Sequence, residues 1–204
     1  MLGWNDQLRT KVKWSGTFTQ FDTDYEMHFD NMYMDINGNI CGAGSDDIGD
    51  FIINGQDDGD TEVYFIKQYK GAHAVHYKGE SDGSTVTGTW EIPGNCDGTF
   101  DLTIHLQGWT GWFKQGGDKN DMELNLQVDN GGVFGYGMDE IGRFVMRGYT
   151  DMTQNCVSFV KSYLGQHQVM YNGAWFKKDG KEYIKGVWTI PGNGHGWFKM
   201  KWNA

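Results

Sequence analysis

The chain has 204 residues with 31 Gly, only 2 Pro and 15% aromatic residues, which suits one or two compact domains rather than a disordered, coiled-coil or collagen-like chain. Its formal net charge of −10 at pH 7 disfavours DNA, RNA and anionic membranes as partners, because these are bound through clustered Lys and Arg. No apolar run approaches the length that spans a bilayer.

Residues 1–13 show no basic region followed by an apolar core, so we predict a short N-terminal arm rather than a signal peptide. The cysteines are odd in number, and the positions equivalent to Cys41, Cys96 and Cys156 in the repeat described next are not Cys. A disulfide framework is therefore not expected, and a reducing, cytoplasmic location is favoured.

From Trp14 onward the sequence is a tandem duplication of one unit, with equivalent residues 93 to 98 positions apart. Residues kept in both copies are required by a shared fold or a shared site, whereas residues present in one copy only are not. The kept motifs are Trp14-x-Gly-x-Phe18-x-Gln20, Gly42-x-Gly-x-Asp46-x-Ile48, Phe65-x-Lys67-x-Tyr69-x-Gly-x-His73-x-Val-x-Tyr77 and Gly88-x-Trp90-x-Ile92-Pro-Gly-Asn95, which return as Trp109 to Gln115, Gly135 to Ile141, Phe159 to Tyr171 and Gly186 to Asn193.

Kept residues fall on every second position, which is the period of a β-strand with one constrained face. In the first copy this pattern predicts strands at 14–20, 25–36, 39–44, 50–55, 62–69, 73–79, 85–92 and 98–105, separated by Gly-containing turns. No segment has the pattern of a long amphipathic helix. The predicted fold class is all-β, with two tandem up-and-down antiparallel β-barrels of about eight strands each, at 14–107 and 108–204.

The opening Trp-x-Gly-x-Phe strand, the Gly-x-Gly hairpin and the late Gly-x-Trp strand resemble the calycin group of avidins, lipocalins and fatty-acid-binding proteins. The stretch from Trp109 to Phe113 is the most similar. The resemblance implies the barrel architecture of each unit. It does not imply biotin binding, because the avidin set of Trp, Ser, Thr and Asn positions is incomplete.

Six polar residues are kept on the strand faces that also carry the core aromatics. A Lys on such a face must be paired or hydrated, because burying a lone ammonium group is very costly. We therefore predict that Asp46 pairs with Lys67, and Asp139 with Lys161. The full set is Gln20, Asp46, Lys67, Tyr69, His73 and Tyr77, repeated as Gln115, Asp139, Lys161, Tyr163, His167 and Tyr171.

Two interpretations of this set remain open. It either forms a hydrogen-bonded network that fixes the strands, or it binds a small polar or amphipathic ligand at the open end of each barrel. No nucleophile stands beside a base at a recognisable spacing, so an enzyme is disfavoured, although a calycin-type enzyme of unknown reaction stays an alternative. The predicted function is a non-catalytic binding protein.

Features present in one copy only suggest weaker alternatives. The position equivalent to His76 in the second copy is Met170, and the acidic loop 57–60 is not repeated. Neither a metal nor a cofactor is therefore predicted. Unrepeated Trp residues beside Asp and Asn are typical of a glycan-binding lectin, or they seal contacts between protein surfaces in a scaffold subunit of a larger assembly. These residues are Trp4, Trp112, Trp175, Trp197 and Trp202.

Overall fold

The computed structural model describes residues 9–106 and 108–203, which form 17 β-strands. The chain divides into two compact units, one ending at His105 and the other starting at Leu106. Trp4, residue 107 and most of the predicted arm lie outside the described residues. No helix in the described part of the chain is long and apolar enough to cross a membrane.

The first barrel closes because its first full strand pairs with both the second strand and the last one. Its strands are β1 (Arg9–Val12), β2 (Trp14–Gln20), β3 (Thr23–Asp35), β4 (Asn39–Asp46), β5 (Gly49–Asp57), β6 (Glu62–Tyr69), β7 (Ala74–Ser81), β8 (Thr85–Ile92) and β9 (Cys96–Ile104). Within the segment expected to be an arm, β1 is hydrogen-bonded to the C-terminal part of β3. A bulge between Phe29 and Asn31 interrupts the register of β3 with β4.

The second barrel is closed in the same way by β10 and its neighbours β11 and β17. Its strands are β10 (Trp109–Gln115), β11 (Asp118–Asp129), β12 (Gly132–Asp139), β13 (Gly142–Asp151), β14 (Cys156–Tyr163), β15 (Gln168–Lys178), β16 (Lys181–Ile190) and β17 (Gly194–Trp202). The prediction of an all-β chain with two tandem eight-stranded antiparallel barrels is confirmed.

Large side chains fill the interior of both barrels, as the period of two requires. In the first barrel the ring of Phe65 stacks on Tyr77 with centroids 4.5 Å apart, and in the second Phe159 stacks on Tyr171 at 5.0 Å. The kept Gly88 is needed beside these rings, because a Cβ there would collide with the backbone of β7. The open space of each barrel is therefore confined to its ends.

The two ends of a barrel carry different turns. We call one end the mouth: in the first barrel it is formed by the turns that follow β2, β4, β6 and β8, and in the second by those that follow β10, β12, β14 and β16. The far end carries the remaining hairpin turns. Every mouth turn has the same length in both barrels, whereas two of the three far-end turns and the far-end halves of several strands differ in length.

Candidate functional site

A buried ion pair lies beneath the mouth of each barrel. Lys67 on β6 donates from Nζ to Oδ2 of Asp46 at 2.7 Å, and the side chains are 1% and 0% exposed. Lys161 forms the equivalent ion pair with Asp139, and both of its side chains are fully buried. The predicted pairing of Asp46 with Lys67 and of Asp139 with Lys161 is confirmed.

Further contacts stabilise each buried pair. Tyr69 donates its hydroxyl to Asp46 at 2.6 Å, and the backbone N–H of Ile48 donates to the other oxygen of this carboxylate at 2.9 Å. The Nζ atom of Lys67 lies 4.6 Å from the ring centroid of Phe18 and 4.8 Å from that of Phe51. A paired ammonium group among aromatic faces recovers part of the solvation that burial removes.

The second barrel repeats these contacts. Tyr163 donates its hydroxyl to Asp139 at 2.7 Å, and the N–H of Ile141 donates to the same carboxylate at 2.9 Å. The Nζ atom of Lys161 lies 3.8 Å from the ring centroid of Phe144. The network is thus a property of the duplicated unit and not of one barrel.

Burial and pairing act in opposite directions on the pKa values of these groups. Burial would raise the pKa of Asp46, but the hydrogen bonds from Lys67 and Tyr69 hold that pKa below its usual range. Burial lowers the pKa of Lys67, and it lowers the pKa of Lys161 to about 8, in each case against the effect of the carboxylate. Burial and the nearby carboxylate raise the pKa of Tyr69 far above its usual value.

The same cause acts on the other tyrosines at the mouths. Burial, together with the nearby carboxylate, raises the pKa values of Tyr77, Tyr163 and Tyr171 far above the usual value. All four hydroxyls therefore stay protonated over the whole neutral range, so Tyr69 and Tyr163 remain donors to their carboxylates.

Above the ion pair, each mouth contains a cavity, of about 530 Å³ in the first barrel and about 200 Å³ in the second. The structure divides the predicted site residues between two layers. Asp46, Lys67, Asp139 and Lys161 form the buried layer. The residues that line the cavities are Gln20, Tyr69, His73 and Tyr77 in the first barrel and Gln115, Tyr163, His167 and Tyr171 in the second.

Six further residues line both cavities, and sequence reasoning did not select them as site residues. They are Phe18, Ile48, Val75, Trp90, Ile92 and Asn95 in the first barrel and Phe113, Ile141, Val169, Trp188, Ile190 and Asn193 in the second. All ten residues that line the second cavity thus have the same residue type at the equivalent position of the first. The signal that could have found them is their presence in the repeated motifs.

The shared lining has an apolar floor and a mixed rim. Buried Phe18, Tyr77 and Trp90 form much of the floor, and the indole N–H of Trp90 donates to the carbonyl of Thr19 at 3.2 Å, which fixes the plane of the ring. On the rim, the side chains of His73 and Asn95 are exposed and have no hydrogen-bond partner among the described residues. No Asp, Glu, Lys or Arg belongs to the shared lining.

The first cavity is larger and is also lined by Phe21, Cys96 and Asp97. Phe21 lies in the turn after β2 with a φ of 50° and an exposed fraction of 86%. A bulky residue in the left-handed region is strained, and such strain concentrates at functional sites. The second barrel has Gly116 and Gly117 in the same turn.

Other residues singled out in the sequence lie away from the mouths. Trp175 was a candidate for an exposed, glycan-binding Trp, but it is only 8% exposed. Its ring packs edge-on against that of Trp109 in the second core, with centroids 5.3 Å apart. His76 contacts Tyr64. The three cysteines are free, and no group of three or more His, Cys, Asp or Glu able to hold a metal occurs among the described residues.

No protein-family model and no curated protein matches this chain. Among solved structures, it is similar to the hemagglutinin of Myxococcus xanthus in complex with a3,a6-mannopentaose, with 12% identity, coverage of 96% of this chain and 99% of that one, and a TM-score of 0.25. It is also similar to the Burkholderia oklahomensis agglutinin, with 12% identity, coverage of 97% and 95%, and a TM-score of 0.24. The resemblance to calycins is supported only as far as the barrel architecture, since no family model matches.

Proposed function

We propose that the chain is a non-catalytic, glycan-binding protein in which each mouth holds one sugar ring. The observation that carries this proposal is the identity of the shared lining, from the apolar floor to the rim His and Asn. The mouth turns also keep their lengths, so the rim residues are presented from the same positions in both barrels. A purely structural role would need the buried ion pair and could use the packing of the His73 ring on Tyr69, but it would not need the side-chain hydrogen-bonding atoms of His73 and Asn95, which bond no described residue.

The lining fits an uncharged molecule that has an apolar face and several hydroxyl groups. Aromatic side chains contact the C–H face of a sugar ring, while the amides of Gln20 and Asn95 and the imidazole of His73 hydrogen-bond its hydroxyls. The 200 Å³ of the second cavity is below the roughly 300 to 1,000 Å³ of pockets for drug-sized ligands, which limits the inserted group to about one ring. Two similar sites in one chain gain avidity for a group displayed repeatedly.

The chemistry of the buried layer supports binding rather than catalysis. The carboxylate of Asp46 is completely buried and already accepts hydrogen bonds from Lys67, Tyr69 and a backbone N–H. The Tyr69 hydroxyl is committed to this carboxylate. Neither group is free to transfer a proton to a ligand in the cavity, because a general acid or base must reach the reacting atom.

A second candidate ligand is a small amphipathic molecule in the first mouth alone. It is favoured by the exposed apolar rim there, where Phe21 is 86% and Ile48 54% exposed. In the second barrel this turn carries Gly116 in place of Phe21, so the apolar contact would be absent.

The test is a glycan array with the full chain, followed by calorimetric titration of the best glycan. His73→Ala with Asn95→Ala should weaken the first site by about tenfold, and His167→Ala with Asn193→Ala the second, because each removes hydrogen bonds worth about 0.5 to 1.5 kcal/mol. Thr61→Ala, in a far-end turn, is the matched control. Glycan binding that survives both double substitutions would place the site elsewhere and contradict the proposal.

A further inference from the structure

The two barrels have very different charges. Residues 1–105 contain 6 Lys and Arg against 18 Asp and Glu, whereas residues 106–204 contain 11 against 9. Much of the positive charge of the second barrel lies on the outward positions of β10, β16 and β17, which alternate with the buried residues of these strands. We call these positions the basic face: Thr110, Trp112, Lys114, Tyr183, Lys185, Val187, Trp197, Lys199 and Lys201.

The equivalent positions of the first barrel provide a natural comparison. They lie on β2, β8 and β9 and hold Ser15, Thr17, Thr19, Thr85, Thr87, Thr89, Thr99, Asp101 and Thr103. Threonine is an ordinary residue for the exposed face of a strand because it suits the pleated backbone. The first-barrel face thus has one Asp and no Lys, whereas the second has four Lys and three aromatic residues, so the basic face is not a requirement of the fold.

The four lysines of the basic face form no salt bridge within the described part of the chain. Lys70, Lys78 and Lys177 form salt bridges with carboxylates elsewhere on the barrels, and Lys119, beside the basic face on β11, forms one with Asp121. In contrast, none of Lys114, Lys185, Lys199 and Lys201 forms a salt bridge with a described residue.

The register of the strands makes this arrangement unfavourable for the protein alone. Lys185 lies directly opposite Lys199 on neighbouring strands, and like charges in this position destabilise a sheet. Although the chain has 27 Asp and Glu, none of them forms a salt bridge with Lys185 or Lys199 among the described residues. An external anion would remove the repulsion.

Aromatic rings and carboxylates complete a groove on this face. A cavity of about 440 Å³ is lined by side chains that include Trp112, Tyr183, Lys199 and Glu123. Trp112 lies opposite Lys199, and the ring of Tyr183 has the Nζ atom of Lys199 4.6 Å from its centroid. Trp197 on the same face is 58% exposed.

We propose that the basic face binds an anionic polysaccharide whose sugar rings carry carboxylate or sulfate groups. Lys199 and Lys201 pair with the acidic groups, Trp112 and Tyr183 contact the C–H faces of the rings, and Asp121 and Glu123 accept hydrogen bonds from hydroxyls. Single-stranded DNA is less suited to this groove, because it offers few hydroxyl groups from which Asp121 and Glu123 could accept hydrogen bonds.

The experiment measures binding of the full chain to immobilised polygalacturonate, with dextran as a neutral polysaccharide and an oligo-dT strand as a polyphosphate. Trp112→Thr with Lys199→Thr, which gives position 112 the threonine of the first barrel and makes position 199 neutral, should lower the affinity for polygalacturonate by about tenfold. Lys178→Thr with Lys181→Thr removes two positive charges away from the face, one more than the first variant, and should have little effect. Binding of the unaltered chain should weaken as salt is added.

Three results would overturn the proposal: an equal loss of affinity in the Lys178 and Lys181 control, binding to dextran as strong as to polygalacturonate, or tighter binding to oligo-dT. Lys199→Arg should retain binding, because it keeps the charge. His167→Ala should also leave polygalacturonate binding unchanged, since the basic face is separate from the mouth and does not depend on the function proposed for it.

Discussion

The two ends of each barrel are built from the same strands, but the duplicated copies agree in detail at one end only. At the far end the turns keep residues that reverse the chain, such as Asn37-Gly38 and Asp82-Gly83, while lengths and neighbouring side chains differ. At the mouth, the turn lengths, the floor and the His and Asn of the rim are kept. Because the two copies keep more residues at the mouth than the turns themselves require, we infer that these side chains have a role in addition to folding.

The mouth itself contains two kinds of kept residue. The buried pair of Lys67 and Asp46 stabilises the strands and fixes Tyr69 in the floor. The polar side-chain atoms of exposed His73 and Asn95, in contrast, form no hydrogen bond with a described residue, although the ring of His73 packs 5.2 Å from that of Tyr69. Substitutions should separate these two roles, and they should separate the mouth from the far end.

The largest effect is expected for Lys67→Met. Removing the ammonium group leaves the Asp46 carboxylate buried without its counter-charge, and breaking a buried pair in this way costs about 3 to 5 kcal/mol. Lys161→Met should act in the same way on the second barrel. Denaturant titration of the free energy of unfolding measures both effects.

Asp82→Ala is the far-end control for that prediction. Asp82 accepts hydrogen bonds from the N–H groups of Ser84 and Thr85, much as Asp46 accepts one from Ile48, but it has no buried Lys. We expect a cost of about 1 kcal/mol. A cost for Lys67→Met as small as that of Asp82→Ala would show that the buried pair contributes no more than a turn does.

The second effect is alkaline destabilisation through the tyrosines of the mouth. The pKa values of Tyr69, Tyr77, Tyr163 and Tyr171 are raised by burial, so the unfolded chain releases these protons near the usual value of 10.0 while the folded barrels retain them. Stability conferred by these groups is complete below that pH and is lost as the pH rises above it. The expected slope is about 1.4 kcal/mol per pH unit for each tyrosine.

The measurement belongs above about pH 12, because the lysines of the unfolded chain, with a usual pKa of 10.5, are still partly protonated at lower pH and would contribute to the slope. Tyr69→Phe should reduce the slope by the share of one tyrosine. An unchanged slope in this variant would mean that the hydroxyl of Tyr69 titrates as freely in the folded barrel as in the unfolded chain.

The smallest effect is expected for Phe21→Gly, which gives the first mouth the turn residue of the second. It removes an exposed aromatic contact worth about 0.5 to 1.5 kcal/mol to a bound ligand, so the affinity of the first mouth should fall toward that of the second. Stability should stay the same or rise slightly, because glycine accepts a φ of 50° without strain. Equal affinities of the two mouths before the substitution would show that Phe21 does not contact the ligand.

Much of the fold could be predicted because the duplication filters the sequence. The predicted strands at 14–20, 62–69 and 85–92 coincide with the observed ones, since alternation and turn residues both mark their ends. The pairing of Asp46 with Lys67 was also predictable, because a Lys among core aromatics needs a carboxylate. The strand at Arg9–Val12 was not expected, as it lies before the part of the chain that is clearly repeated.

The candidate site was predictable only in part. Polar residues on the strand faces were selected, among them His73 and Tyr69. Trp90 and Ile92 were interpreted as core residues and Asn95 was not selected, although all three are equally well kept. Alternation cannot tell how deep an inward residue lies, so Asp46 and Lys67 could not be distinguished from residues that line the cavity. The exposure of Trp175 could not be predicted either, because the lack of an equivalent Trp in the first copy does not show whether the side chain is buried.

Closure of each barrel by its first and last strands has a consequence for folding kinetics. The sheet of the first barrel is incomplete until β9 is synthesised, and pairing β2 with β9 joins residues far apart in sequence, which is typical of slow folding. During synthesis, β10 emerges directly after β9 and has the same Trp-x-Gly-x-Phe pattern as β2. Exchange of strands between the repeats, with β10 in the place of β2, is therefore the characteristic misfolding route of a tandem chain such as this one.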